Sequence, residues 1–257
     1  MVVDSALITQ GRVIYALMMR EVHTIHGNSR LGYLWTLINT MWGIFVFWGL
    51  RYAIGAGDPH GMSSLLFLTT GFGIYSIFSG TVSKCMTAVS GNKALLTFPQ
   101  VTPVDIMVAR TIIVWTTEII CAAIIIAGGC FLGVPFYIND FGSLLFILLI
   151  VPLFGLGVGA FFASIAVFFP TLEKIVPMIM RVLMFASAVF YAATVIPSHI
   201  LKYLWYNPLI QFIEWSRVCL SQGYTTLPPD VLFLSTVTAV SLCFGLLFER
   251  YVRGRVQ

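Results

Sequence analysis

The sequence predicts an all-α integral membrane protein with six transmembrane helices, an amino-terminal amphipathic interface helix and a re-entrant helical hairpin before the last span. Three observations carry this reading. Hydrophobic residues make up 59% of the chain and charged residues only 9%, far from the roughly 25% charged content of soluble domains. Apolar runs of about 20 residues, the length that crosses a bilayer as a helix, recur six times. Lys and Arg gather on one set of alternating connections. Spans and connections use up the 257 residues, so residues 1–257 form one membrane domain with no room for a soluble enzymatic domain.

Residues 1–30 come first. Ile14, Leu17 or Met18, Val22 and Ile25 recur at helical spacing opposite Arg12, Arg20, Glu21 and His23, the pattern of a helix lying along a membrane surface. This stretch has no clean apolar core with a cleavage site, so the first span is expected to insert as a signal anchor. The spans then read Leu34 to Leu50, Leu65 to Val82, Ile106 to Ala127, Leu144 to Phe169, Ile175 to Val195 and Val231 to Phe248. Alternating the connections places Arg12, Arg20, Arg30, Lys84, Lys93, Arg110, Lys174, Arg181, Arg250, Arg253 and Arg255 on one side, against Arg51, Lys202 and Arg217 on the other. The positive-inside rule therefore puts both termini in the cytoplasm.

Two connections hold more than a linker needs. In residues 84–104, Asn92 to Phe98 can form a short helix that Pro99 and Pro103 end or bracket, giving a partly apolar block facing inward. Residues 197–229, facing outward, are too apolar for a solvated loop and too short for two more spans. Asn207 suits a helix cap, Pro208 the first helical position and Gly223 the stop. Such a helix is expected to dip into the outer leaflet and return. Glu214 and Arg217, three residues apart, can pair there and lower the cost of lying near lipid.

Catalytic motifs are missing. Gly91-Asn92-Lys93 lacks the upstream glycine and following hydroxyl residue of a phosphate-binding loop, so another polypeptide must hydrolyse any ATP used. His23 and His26 have no acidic or cysteine partner nearby, and no metal site is expected. The five cysteines show no paired spacing. The basic residues are scattered near span ends rather than clustered, which argues against nucleic acid. Gly155, Gly157 and Gly159 lack a preceding strand and read as a close-packing helix face. Glu118 lies well inside the third span, where a structural hydrogen bond is favoured over a proton relay because no second acid shares its depth. Aromatics recur through the first two spans, where lipid-facing bulk and interfacial belts account for most aromatics of a membrane protein and a surface on which sugar rings pack their apolar faces is the alternative. Trp42, Tyr75 and Phe190, each inside the first, second or fifth span with aromatic neighbours about a turn away, are the candidate liners of a substrate pathway.

The order of amphipathic helix, Arg30-Leu31-Gly32-Tyr33-Leu34-Trp35, six spans and a late Asn207-Pro208-Leu209 followed by Glu214 and Arg217 resembles the type-two ABC transporter permeases. Within them, RLGYLW, NKALLTFPQVTPVDIMVAR, FPTLEKIVP and NPLIQFIEWSRVCLSQGY are most similar to the capsular-polysaccharide exporters of the KpsM family. One departure is visible: after Arg30-Leu31-Gly32 the family commonly carries Glu-Pro, where this chain has Asn39-Thr40. The resemblance implies a homodimer bound to two separate ATP-binding subunits, which hold ATP and Mg while this chain binds no cofactor. It implies passage of lipid-linked capsular polysaccharide through the bacterial inner membrane toward periplasmic and outer-membrane export proteins. Asn92, Lys93, Leu95, Leu96, Phe98 and Pro99 would then form the coupling element on the ATPase, and the amino-terminal helix a second contact. Asn207, Pro208, Glu214 and Arg217 would belong to an external gate. Permeases for O-antigen, teichoic acid or a small drug share this architecture, and an ion-coupled carrier remains a rival of another class.

Overall fold

The computed structural model describes residues 6–26, 32–55, 57–92, 95–98 and 100–256. Every regular element among them is helical: α1 (Ala6–His26), α2 (Gly32–Ala53), α3 (Ser64–Met86), α4 (Pro103–Phe131), α5 (Phe141–Ala166), α6 (Leu172–Phe185), α7 (Ser198–Leu204), α8 (Pro208–Leu220) and α9 (Val231–Val256), with short 3-10 turns between some of them.

Four helices, α3, α4, α5 and α9, are long and apolar enough to cross a membrane. Much of α3 is enclosed, with 72% of its apolar window buried, against 28% for α4 and 17% for α9. The outer helices thus leave wide apolar faces uncovered, a surface that water does not suit and lipid does. At the centre α3 packs on α2, α4, α5, α6 and α8, while α5 lies between α3 and α9. Small residues permit that sandwich. A Cβ on Gly157 would stand 2.5 Å from the backbone of Ser241 and Leu242 in α9, and one on Gly159 2.7 Å from Cys85 Cβ in α3. Gly155 faces Thr81 in the same way, so the expected close-packing face exists and serves two neighbours at once.

Helix starts follow local chemistry. Thr102 and Asp105 form a reciprocal capping box ahead of α4, with Pro103 in the first turn. Asp140 caps α5 through the Ser143 amide, and Asn207 caps α8 through the Leu209 amide with Pro208 at its start. The predicted cap and first turn of α8 are therefore present. Its end falls at Leu220 rather than Gly223, where Asn139 takes the place of a glycine stop: its backbone N–H donates to the Cys219 carbonyl at 2.8 Å and its side-chain amide to the Val218 carbonyl at 3.2 Å.

Three expectations need correction. The run Ile175 to Val195 is not one helix: α6 has 14 residues, about 21 Å at 1.5 Å per residue, and irregular backbone follows, with Ala188 at φ 56°. Apolar character set the expected length, whereas the backbone here is held by polar groups from elsewhere in the chain. Of the expected helix from Asn92 to Phe98, the described residues form the end of a 3-10 turn, Ser90–Asn92, and turns across residues 95–98. Asn92 folds its side chain back onto the Ala88 carbonyl at 3.0 Å, a local bond that competes with helix propagation. Finally, helical spacing puts Glu21 on the polar face of α1 and Val22 on the apolar face, yet Glu21 is 7% exposed and Val22 36% exposed.

Candidate functional site

The expected gate and coupling residues stand at opposite ends of α3. Between Gly71 and Cys85 lies about 20 Å of helix.

At the first end, Glu214 and Arg217 on α8 have no exposed side-chain surface, and Arg217 Nη1 donates to Glu214 Oε1 at 2.7 Å. They do not lie against lipid. Arg217 donates Nη2 to the Val189 carbonyl at 3.0 Å and Nη1 to the Tyr191 carbonyl at 3.3 Å, and its guanidinium lies 3.5 Å above the Phe67 ring. Glu214 accepts the Ala193 amide at 3.1 Å and the Tyr224 hydroxyl at 3.0 Å on each oxygen. Asn207 adds bonds to the Ala186 carbonyl at 3.4 Å and the Ser187 hydroxyl at 3.1 Å. The irregular stretch after α6 thus has its polar backbone met from α8. Non-helical backbone at membrane depth survives only where protein supplies such partners, and a buried ion pair persists only when further hydrogen bonds complete it. Gly71 allows the approach, since a Cβ there would sit 2.6 Å from the Val189 carbonyl oxygen and 2.9 Å from Arg217 Nη2. A second tie lies above: His60 Nε2 meets the Thr194 hydroxyl at 2.7 Å, and its ring is edge-on to Tyr224 at 5.7 Å. Of these residues the sequence pointed to Asn207, Pro208, Glu214 and Arg217. Phe67 stands out in sequence only as one of the aromatics recurring through the second span, and Gly71 and Tyr224 carry no pattern that announces them.

At the other end, α1 docks on the α3–α4 connection and the start of α4. Gln10 donates to Asp105 at 3.0 Å, Arg20 donates to Asn92, and Arg110 Nε stands 2.9 Å from Glu21 Oε1. Arg110 also donates to the Lys84 carbonyl at 2.9 Å and the Thr87 hydroxyl at 3.0 Å. Leu17 of α1 is buried among Cys85, Ile106 and Met107, and Leu95 and Leu96 pack half-buried on the same cluster. Phe98 points away and is 60% exposed. Asn92 is therefore a brace between α1 and the connection, while Phe98 is its free apolar surface. Lys93 and Pro99 lie outside the described residues.

The expected pathway rings separate. Trp42 is 66% exposed on α2. Phe190 joins a cluster with Phe47, Phe185 and Phe72 at ring separations of 4.5, 5.1 and 5.3 Å. Tyr75 is 4% exposed within the core, and its hydroxyl donates to the Met180 carbonyl, tying α3 to α6. Glu118 borders a largely apolar cavity of about 200 Å³ with Thr69, Thr70 and Ser216. Thr40 lies close enough to act on its carboxyl group, so one residue of the departing Asn39-Thr40 pair neighbours the buried acid. Among the described residues no group of His, Cys, Asp and Glu is placed to hold a metal ion.

Comparison with known proteins places these features in a family. The chain is 28% identical over 238 residues to the polysialic acid transport protein KpsM of Escherichia coli, covering 92% of each chain. It is 25% identical over 254 residues to the capsule polysaccharide export inner-membrane protein CtrC of Neisseria meningitidis, covering 97% of this chain and 94% of that one. To the capsule polysaccharide export inner-membrane protein BexB of Haemophilus influenzae it is 24% identical over 212 residues, covering 82% of this chain and 80% of the other. The family model of ABC-2 type transporters matches residues 12–220, a stretch that holds most of α1, the α3–α4 connection and the Glu214–Arg217 pair, and the chain belongs to that family.

Proposed function

We propose that this chain is the membrane permease subunit of an ATP-driven exporter that moves lipid-linked capsular polysaccharide across the bacterial inner membrane. The observation that carries this reading is likeness along nearly the whole chain to relatives named for capsule polysaccharide export and polysialic acid transport. Two copies of the chain would enclose the pathway, with two separate ATP-binding subunits holding ATP and Mg beneath them. The topology has six crossings and cytoplasmic termini: α2, α3, α4, α5, α6 with its irregular extension, and α9, with α7 and α8 as a re-entrant pair. Asn92, Lys93, Leu95, Leu96, Phe98 and Pro99 form the coupling region. The docking of α1 on that region supports a single inward body that the ATPases move. Asn207, Pro208, Glu214 and Arg217 form the outer gate, and Trp42 and Phe190 belong to the pathway. Tyr75 stands with them as a candidate liner, and its hydroxyl also ties α3 to α6.

Rigid-body motion of packed helices is the means by which a remote closure changes an opening. In this chain α3 reaches both ends, with Phe67 and Gly71 against the gate network and Cys85 in the cluster under α1. The test is reconstitution with the ATP-binding subunit in inverted vesicles. ATP-dependent uptake of lipid-linked polysaccharide is the expected result. Transport without ATP, or failure of the two polypeptides to co-purify, overturns the proposal.

A further inference from the structure

Outside the buried ion pair, the short helices α7 and α8 and the start of α9 enclose a cleft of about 560 Å³, lined in part by Ser198, Lys202, Trp205, Tyr206, Gln211 and Asp230. Its size falls in the range of about 300–1,000 Å³ usual for small-molecule sites. The cleft is held open by bonds that fix its wall. Gln211, 2% exposed, donates to the Trp205 carbonyl at 2.7 Å and accepts the Asp230 amide at 2.9 Å. Asp230 in turn accepts the Phe233 amide at 2.9 Å as the cap of α9, so one of its carboxylate oxygens is already engaged in structure.

Lys202 differs from these neighbours. It makes no hydrogen bond or ion pair with any described residue, and it is exposed at the cleft. Beside it Tyr206 is 71% exposed and Trp205 is half-buried. Aromatic surfaces suit the apolar face of a sugar ring, the Ser198 hydroxyl can donate and accept, and an unpaired ammonium suits a carboxylate. We propose that this cleft is a binding subsite for an acidic sugar residue of the exported glycan, with Tyr206 and Trp205 as the stacking surface and Lys202 as the carboxylate contact. The inference rests on the export reading above and adds to it the charge class of the sugar and the place where it is held.

Binding of oligogalacturonate and of a neutral maltooligosaccharide to the full chain in lipid nanodiscs tests this by calorimetry. The acidic oligosaccharide is expected to bind more tightly. Lys202→Gln should weaken the acidic ligand about two- to fivefold, the scale of an exposed charge pair, and leave the neutral one unchanged. Tyr206→Ala should weaken both about fivefold, the scale of one aromatic contact. Equal affinity for the two ligands, wild-type affinity in Lys202→Gln, or no binding by the wild type overturns the subsite. ATP-driven glycan uptake by the same preparations is read separately. If uptake persists the permease reading stands without the cleft, and if uptake is absent as well both fall.

Discussion

Arg217 Nη1 lies 2.7 Å from Glu214 Oε1, one helical turn earlier on α8, and neither side chain has any exposed surface. Together they brace irregular backbone. Glu214 takes up the Ala193 amide and Arg217 the Val189 and Tyr191 carbonyls, so the ion pair stands in for the helix that α6 fails to continue.

Removing one member leaves the other buried and unpaired. Arg217→Met or Glu214→Leu alone should destabilise the protein by about 3–5 kcal/mol, whereas the double replacement should cost clearly less than the two single losses combined. Thermal unfolding in detergent measures all three. Additive losses would mean that the two side chains act independently.

Gly71 and Gly73 provide an internal comparison. A Cβ at Gly71 meets the Val189 carbonyl oxygen at 2.6 Å, while one at Gly73 meets nothing within 4 Å. Gly71→Ala should lower the melting temperature and reduce export. Gly73→Ala should be neutral or stabilising by up to about 1 kcal/mol, the usual gain of alanine over glycine in a helix. Equal melting temperatures for the two variants would contradict the contact.

On the coupling region the apolar residues Phe98 and Leu96 should behave differently. Phe98 is exposed, and Phe98→Asp should leave the melting temperature near wild type while abolishing co-purification with the ATP-binding subunit, because a charge replaces the free apolar contact. Leu96 packs on the α1 cluster, so Leu96→Asp should destabilise the subunit itself, on the order of 3 kcal/mol. Retention of the ATPase by Phe98→Asp would remove Phe98 from the interface.

The candidate rings divide in the same manner. Trp42→Ala should weaken export without changing the melting temperature, since the ring is 66% exposed. Tyr75→Phe removes only the hydroxyl bond to Met180 and should cost about 1 kcal/mol, while Tyr75→Ala opens a cavity and should cost about 3–5 kcal/mol. Export per folded molecule should remain normal in Tyr75→Phe. A large export defect in that variant would mean that the hydroxyl acts in the pathway rather than only in packing.

The sequence by itself determined the membrane class, the helical spans on α3, α4, α5 and α9, the amphipathic α1, and the Asn207-Pro208 start of α8. These properties are local: apolar length, helical period and cap chemistry act within one stretch of chain. It also brought Glu214 and Arg217 together, because residues three apart on a helix are neighbours. Their surroundings were decided by tertiary structure. Hydropathy sums side-chain preferences and takes no account of where a backbone carbonyl finds its partner. The run Ile175 to Val195 therefore read as one continuous span, although Arg217, Glu214 and Asn207 from α8 satisfy its broken half. The same blindness put Glu21 on the solvent side of α1, since its partner Arg110 lies 89 positions later in the chain. Long-range polar pairs leave no periodic trace in a sequence, and in this protein they decide which apolar stretch breaks and which polar face is buried.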